Sequence, residues 1–316
     1  MDLTFGRMLA RRPRKTVLRP RASRSLADRR LAAIAVALVA LAFLGGCSAL
    51  RVGYNQADWL AYRWIANYAD FDDAQAVRAK EAIAVWFAWN RKTQITDYAD
   101  LLLRIDADVK ADTSAERVCG YWSAVRTRID RSVEHAVPAI ADIAATLKPA
   151  QFESMEKRYA KTNAAFRDEY MQSDPALRAS EAAKRVISRS ESLYGDLDEF
   201  QRERIERWMA DSPFDPALFH DERKRRQQDA LQTLRRVATQ TTDSAAARAL
   251  IRGWIQRVGR SPREPNRSYS DGLLQYNCKL AANIHNSTSP GQRNVASKKL
   301  RAWAADLRML ATEAAE

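Results

Sequence analysis

A chain of 316 residues, 46% hydrophobic and 29% charged, has the material for a sizeable core, and only 10 Gly and 10 Pro disfavour a strand-and-turn architecture. The net charge of +13 would suit a nucleic-acid binder, but residues 1–46 alone carry ten Lys/Arg against Asp2 and Asp28, more than half of the excess. The excess belongs to a leader more than to a binding body, and no nucleic-acid partner is expected.

The leader is the first element. After "ADRR" comes "LAAIAVALVALAFL", Leu31 to Leu44, apolar throughout. As a helix it would rise only about 21 Å, short of the roughly 30 Å hydrocarbon core, so it reads as the apolar region of a signal peptide and not as a membrane span. "LGGC", Leu44 to Cys47, is similar to the lipobox of bacterial lipoproteins: an apolar residue, two small residues that admit a peptidase, then the cysteine that is acylated. That resemblance implies a mature N-terminus at Cys47 carrying a diacylglycerol and a fatty acyl chain, and a periplasmic body tethered to a membrane. Several chains anchor stably where a single one holds marginally. Ser48 stands where an Asp would resemble an inner-membrane retention signal, so the periplasmic face of the outer membrane is the expected location. The expected division is 1–46 signal peptide, 47–70 a lipid-anchored segment with the first helix, and 71–316 a single helical domain.

"NQADWLAYRWIANYA" places Trp59, Tyr62, Ile65 and Tyr68 on one side of a helix. "FDDAQ" at Phe71 then opens a phrase that recurs as "LKPAQ" at Leu147, "LDEFQ" at Leu197 and "TSPGQ" at Thr288. In three copies a short oxygen-bearing side chain stands three residues before a Gln: Asp72/Gln75, Asp198/Gln201 and Ser289/Gln292. This is capping-box spacing, in which the cap oxygen accepts from the third amide and the Gln reaches back to the cap amide. "LKPAQ" has Lys148 at the cap and is the weaker version. The phrases therefore mark four helix starts. Stripes at helical spacing follow each: Val77, Ile83, Trp86 and Phe87; Phe152, Met155, Tyr159, Phe166 and Tyr170; Ile205, Trp208 and Met209; Val295, Leu300, Trp303, Leu307 and Leu310.

"SAERVCGYWSAVRTRIDRSVEHAVPAIADIAATL" supplies a further helix with Val118, Trp122, Val125, Ile129 and Val133 on one face. "SPFDPALF" is a Pro-punctuated turn before the basic run "HDERKRRQQDALQTLRRVA", and "GRSPREPNRS" reads as a long exposed connection. No stretch alternates as a strand should. The expected fold is all-α, a multi-helix bundle of antiparallel helical hairpins without a significant β-sheet.

Export changes how cysteines are read. Cys119 and Cys278 are an even pair in a compartment that permits disulfides, and a bridge between them is expected; two buried free thiols are the alternative.

The phrases "RVGYNQADWLAYRWIANYADFDDAQ", "ESLYGDLDEFQ", "SPFDP", "RKRRQQD" and "NCKLAANIHNSTSPGQR" resemble a family of Gram-negative lipoproteins known only as a domain of unknown function, over nearly the whole mature chain. The Leu-x-Pro-x-Gln phrase also resembles the LTxxQ motif of small periplasmic helical chaperones of the Spy and CpxP type, which capping chemistry alone would explain.

His135, His220 and His285 show no metal-ligand spacing, and no phosphate loop appears. "SMEK" at Ser154 has Ser-x-x-Lys spacing, but no partner motif of an acyl-enzyme follows. No catalytic residue, metal or cofactor is expected. Arg223, Lys224, Arg225 and Arg226 form the strongest basic cluster of the mature chain; such a run is a solvated helix face or a site for phosphate or carboxylate. Two classes of function remain. One is a non-enzymatic envelope protein, binding, chaperone-like or structural, whose helical faces meet an envelope protein or the anionic cell wall. The other is an envelope enzyme without a local motif, acting on cell-wall or lipid substrates.

Overall fold

The computed structural model describes residues 48–240 and 243–313; the leader, and Cys47 with the acylation expected there, lie outside the described residues. Among those residues there are twelve helices and no strand, the expected all-α class. In chain order they are α1 Ser48–Asn55, α2 Ala57–Ala69, α3 Asp73–Thr93, α4 Ile95–Asp108, α5 Ala115–Ala144 and α6 Pro149–Tyr170. The second half holds α7 Pro175–Tyr194, α8 Glu199–Ala210, α9 Pro216–Gln240, α10 Ser244–Gly259, α11 Glu264–Asn286 and α12 Pro290–Thr312.

The recurring phrases start helices for the reason their chemistry gives. Asp72, Asp198 and Ser289 have extended backbone, and their side-chain oxygens accept from the amides of Gln75, Gln201 and Gln292 at 2.9, 2.8 and 3.2 Å. Each Gln Oε1 accepts in return from the cap amide, at 3.1, 3.0 and 2.9 Å. Lys148 has no oxygen to offer, so α6 has half a box: the Lys148 amide donates to Gln151 Oε1 at 2.9 Å. The Lys148 ammonium instead reaches Asp72 of the other phrase, at 2.8 Å.

Stripe positions on four helices need correction. Val77 and Val295 are exposed, as are Trp59, Trp122 and Ile129. Val77 stands two residues from the buried Gln75, hence on the other side of α3, whose inner face is Gln75, Ala79 and Asn90. On α5 the buried positions are Ser132, Val137, Ala141 and Ala144, so its N-terminal half is only partly covered. The connection after Gly259 is also shorter than expected. Pro265 lies in the first turn of α11, where a missing amide hydrogen costs no helical bond, so only residues 260–263 link α10 to α11. Ser261 in that link and Asn266 in the first turn of α11 are buried.

Packing divides around two cores. The first gathers Ala69, Val137, Ala141, Leu147, Phe152, Met155, Leu231, Val237 and Ile251, from α2, α5, α6, α9 and α10. The second gathers Tyr194, Leu197, Ile205, Leu280, Ile284, Ala296 and Leu300, from α7, α8, α11 and α12. α4 and α12 run antiparallel, laced by Arg301–Asp106 and Arg308–Asp100 at 2.7 and 3.0 Å, with Arg293 reaching Asp112 in the loop after α4 at 2.5 Å. Between the cores, Cys119 of α5 and Cys278 of α11 form a disulfide, with Cα atoms 5.4 Å apart. Of the two readings of these cysteines, the bridge is the one that forms.

Candidate functional site

The four Gln phrases meet in pairs. Gln75 and Gln151 hydrogen-bond each other reciprocally, and so do Gln201 and Gln292, at 2.9 Å in both directions. Each Nε2 also donates to a carbonyl two residues before the partner's cap: Gln75 to Thr146, Gln151 to Asp70, Gln201 to Ser287 and Gln292 to Asp196, at 2.7, 3.0, 2.8 and 2.8 Å. The phrases are thus two clasps, one at each core. Gln75, Gln151 and Gln201 are buried, which takes them away from any surface partner.

Beside the first clasp the helices leave a groove of about 780 Å³, bounded by α2, α6, α9, α10 and α11 with α5 at one end. Its lining is mainly aromatic and aliphatic, with Trp64, Tyr68, Tyr159, Phe219, Trp254 and Tyr269 among the contributors. Tyr68 stacks obliquely on Trp64 and on Tyr159, at 5.2 and 5.6 Å between ring centroids. The Trp254 indole N–H is buried without a partner. Burial also raises the Tyr159 hydroxyl above its ordinary pKa of 10.0, with the neighbouring Tyr68 adding to it, so the phenol is neutral.

Three guanidiniums reach this apolar wall, those of Arg126, Arg223 and Arg226. Arg223 donates to Asn163 at 2.9 Å and lies over the Phe166 ring. Arg126 packs so closely on Gly259 that a Cβ there would collide with it. Arg226 is held by Glu222, which is 6% exposed. Burial alone would push the Glu222 carboxyl up; hydrogen bonds and charge from Arg225 and Arg226 overcome it and hold the pKa at about 2. Arg225 at 2.7 Å and Asn266 at 2.9 Å complete the set around this carboxylate. An adjoining hollow of about 710 Å³ shares Trp122, Arg126, Gly259 and Asp271 and is rimmed by ion pairs such as Arg252–Glu134 at 2.6 Å.

The basic run is therefore mostly spoken for. Lys224 pairs with Asp221 at 2.8 Å, and Arg225 turns to Glu222 and Asp229, so only Arg223 and Arg226 of the four line the groove. The histidines go to separate places. His135 stacks on Trp89 at 3.7 Å, and His220 packs on Phe166. His285 bridges Tyr194 (Nδ1, 2.9 Å) and the Ala111 carbonyl (Nε2, 2.8 Å). The carbonyl can only accept, so Nε2 carries the proton and Nδ1 accepts from the tyrosine. Among the described residues, no group of three or more His, Cys, Asp or Glu is placed to hold a metal. Sequence reasoning missed the clasp pairing and the groove. "YADFDDAQ" and "YGDLDEFQ" match at Tyr, Asp, Asp and Gln, longer than capping requires, which signals that the two phrases play equivalent parts but not which phrase each one meets.

Fold and site together define an all-helical protein with two glutamine clasps and one aromatic, arginine-edged groove. The chain belongs to a family of unknown function (DUF6279), whose model matches residues 67–258. That match contains the first clasp, Gln201 and the basic run 223–226, and it stops before α11, so the resemblances noted at 51–66 and 277–293 fall outside it. No curated protein and no solved structure matches the chain.

Proposed function

We propose that the protein is a non-enzymatic envelope binding protein, tethered by acylated Cys47 to the periplasmic face of the outer membrane, that holds an apolar, acidic segment of another envelope protein in the groove. The observation that carries the reading is the groove itself: a concave, aromatic wall edged by Arg126, Arg223 and Arg226. Aromatic side chains supply contact area at little entropic cost, and arginines at an apolar rim select carboxylate over other charges. The lipid tether is supported by the leader and by "LGGC". Among the described residues no helix is long and apolar enough to cross a membrane. The buried glutamines argue that partner binding falls to the groove and not to the repeated phrases.

A photo-reactive residue at Trp122, which lines the groove and is 46% exposed, tests this in cells. One discrete protein adduct is expected there, and none from the same residue at Phe200, which is exposed on α8 away from the groove lining. Arg223→Glu should weaken the Trp122 adduct. Equal labelling at both positions, or an adduct indifferent to Arg223→Glu, would count against the groove.

A further inference from the structure

Three large apolar side chains stand more than half exposed on the first long helix: Trp59 at 51%, Leu60 at 52% and Trp64 at 65%. Leu60 and Trp64, four residues apart, share one side of α2, with Trp59 one position round from Leu60, and Val52 of α1, 61% exposed, stands seven residues before Trp59. The other side of α2 is used up. Ala69 enters the first core, Ile65 and Tyr68 turn to the groove, and Tyr62 lies under Lys80 of α3. Apolar area left in water is unfavourable, and grouped tryptophans on a soluble surface mark a contact. Arg63 lies over the Trp59 ring, 4.8 Å from its centroid, which adds a cation to the aromatic face.

Position says what the contact is. α1 begins at Ser48, directly after Cys47, and only Gln56 separates it from α2. Trp59 and Trp64 follow Cys47 by only 12 and 17 residues of chain. We propose that the Val52, Trp59, Leu60 and Trp64 stripe rests on the surface of the bilayer that holds Cys47, a step that depends on the acylated anchor proposed above. Tryptophan suits that depth, because its ring is apolar and its indole N–H seeks the wet headgroup layer. The acyl chains keep the stripe at high effective concentration near lipid, so a face too small to bind a membrane alone suffices beside an anchor. Val52, Trp59 and Leu60 lie outside the groove, whereas Trp64 edges it; docking sets the groove mouth beside the headgroups.

The test uses the full chain purified with its anchor, in vesicles of phosphatidylethanolamine and phosphatidylglycerol. An environment-sensitive dye is attached at Leu60→Cys or, for comparison, at Phe200→Cys on α8; Cys119 and Cys278 are bridged and do not take it. The expected result is a blue shift and several-fold stronger quenching by bromine in the upper acyl chains at residue 60. The dye at residue 200 shows neither. Trp59→Ser with Trp64→Ser should remove the quenching at 60 while the anchor keeps the protein on the vesicles. Fatty-acid analogue labelling of Cys47 reads the anchor separately. Acylated protein whose two dyes are quenched alike, or whose quenching survives loss of both tryptophans, overturns the membrane-facing stripe and leaves the anchor standing. Unlabelled Cys47 overturns both.

Discussion

Gln75 and Gln151, 76 residues apart in the chain, donate to each other's side-chain oxygen at 3.1 and 2.7 Å while each caps its own helix. Neither amide keeps a spare group: Nε2 serves the partner and a carbonyl before the partner's helix, and Oε1 serves the cap amide and the partner. Truncating one glutamine strands several buried groups at once. We expect Gln75→Ala or Gln151→Ala to cost about 3 kcal/mol, against about 1 kcal/mol for Asp72→Ala, which loses a cap and an exposed ion pair with Lys148. In urea titrations the double variant should cost clearly less than the sum, whereas Gln75→Ala with Gln201→Ala should add, since those two share no partner. Additive losses for Gln75 and Gln151 would mean that the clasp is not a unit.

The disulfide gives a second prediction. Cys119 and Cys278 are 159 residues apart, and a cross-link closing so long a loop removes about 5 kcal/mol of denatured-state freedom on the chain-entropy estimate. Non-reducing mass spectrometry should find the two peptides joined. Cys119→Ser with Cys278→Ser should lower the urea midpoint substantially; a midpoint that does not move would show that the α5–α11 contact holds without the bond.

These two features show where legibility in the sequence ended. Asp72, Asp198 and Ser289 could be read as caps because capping is decided within four residues, and the helical class followed from the same local chemistry. Which phrase clasps which is a tertiary fact, and four equal capping phrases do not rank their pairings. Trp59 and Trp122 stand in stripes whose spacing marks a helix face yet are exposed, since periodicity reports a face but not what covers it. The groove drew on α2, α5, α6, α9, α10 and α11 together, and no short window holds its pattern.

Acid should lower the protein's stability in two stages. His220 and His285 have pKa values lowered below the ordinary 6.5, in each case chiefly by burial, with Lys224 and Arg167 adding to it at His220. A lowered histidine favours the unfolded chain once that chain begins to take protons, so stability should start to fall as pH drops below 6.5 and go on falling towards the folded-state values. Glu222, at about 2 in place of 4.5, adds a later loss: its contribution is complete above 4.5 and disappears as pH falls from there through 2. That shift corresponds to about 3 kcal/mol at neutral pH. Urea midpoints measured from pH 7 down to 3 should show both stages, and Glu222→Gln should make the lower one shallower without moving the upper, the remainder belonging to other lowered carboxyls such as Asp106.

Asp306 should behave in the opposite sense. It sits on α12 at 2% exposure, and its Oδ2 has no hydrogen-bond partner. Burial raises its pKa above 3.8, and the nearby charge of Arg51, already paired with Glu313, only partly offsets this. A raised carboxyl penalises the folded state as pH climbs through the folded value, so the penalty is complete at neutral pH and absent well below 3.8. Asp306→Asn keeps the shape and removes the charge, and we expect it to stabilise the protein by about 1 kcal/mol at pH 7. Under acid conditions, where the aspartic acid is protonated in both states, the gain should vanish. A variant destabilised to the same extent at both pH values would show instead that the carboxylate holds Arg51 in place and that its burial is compensated.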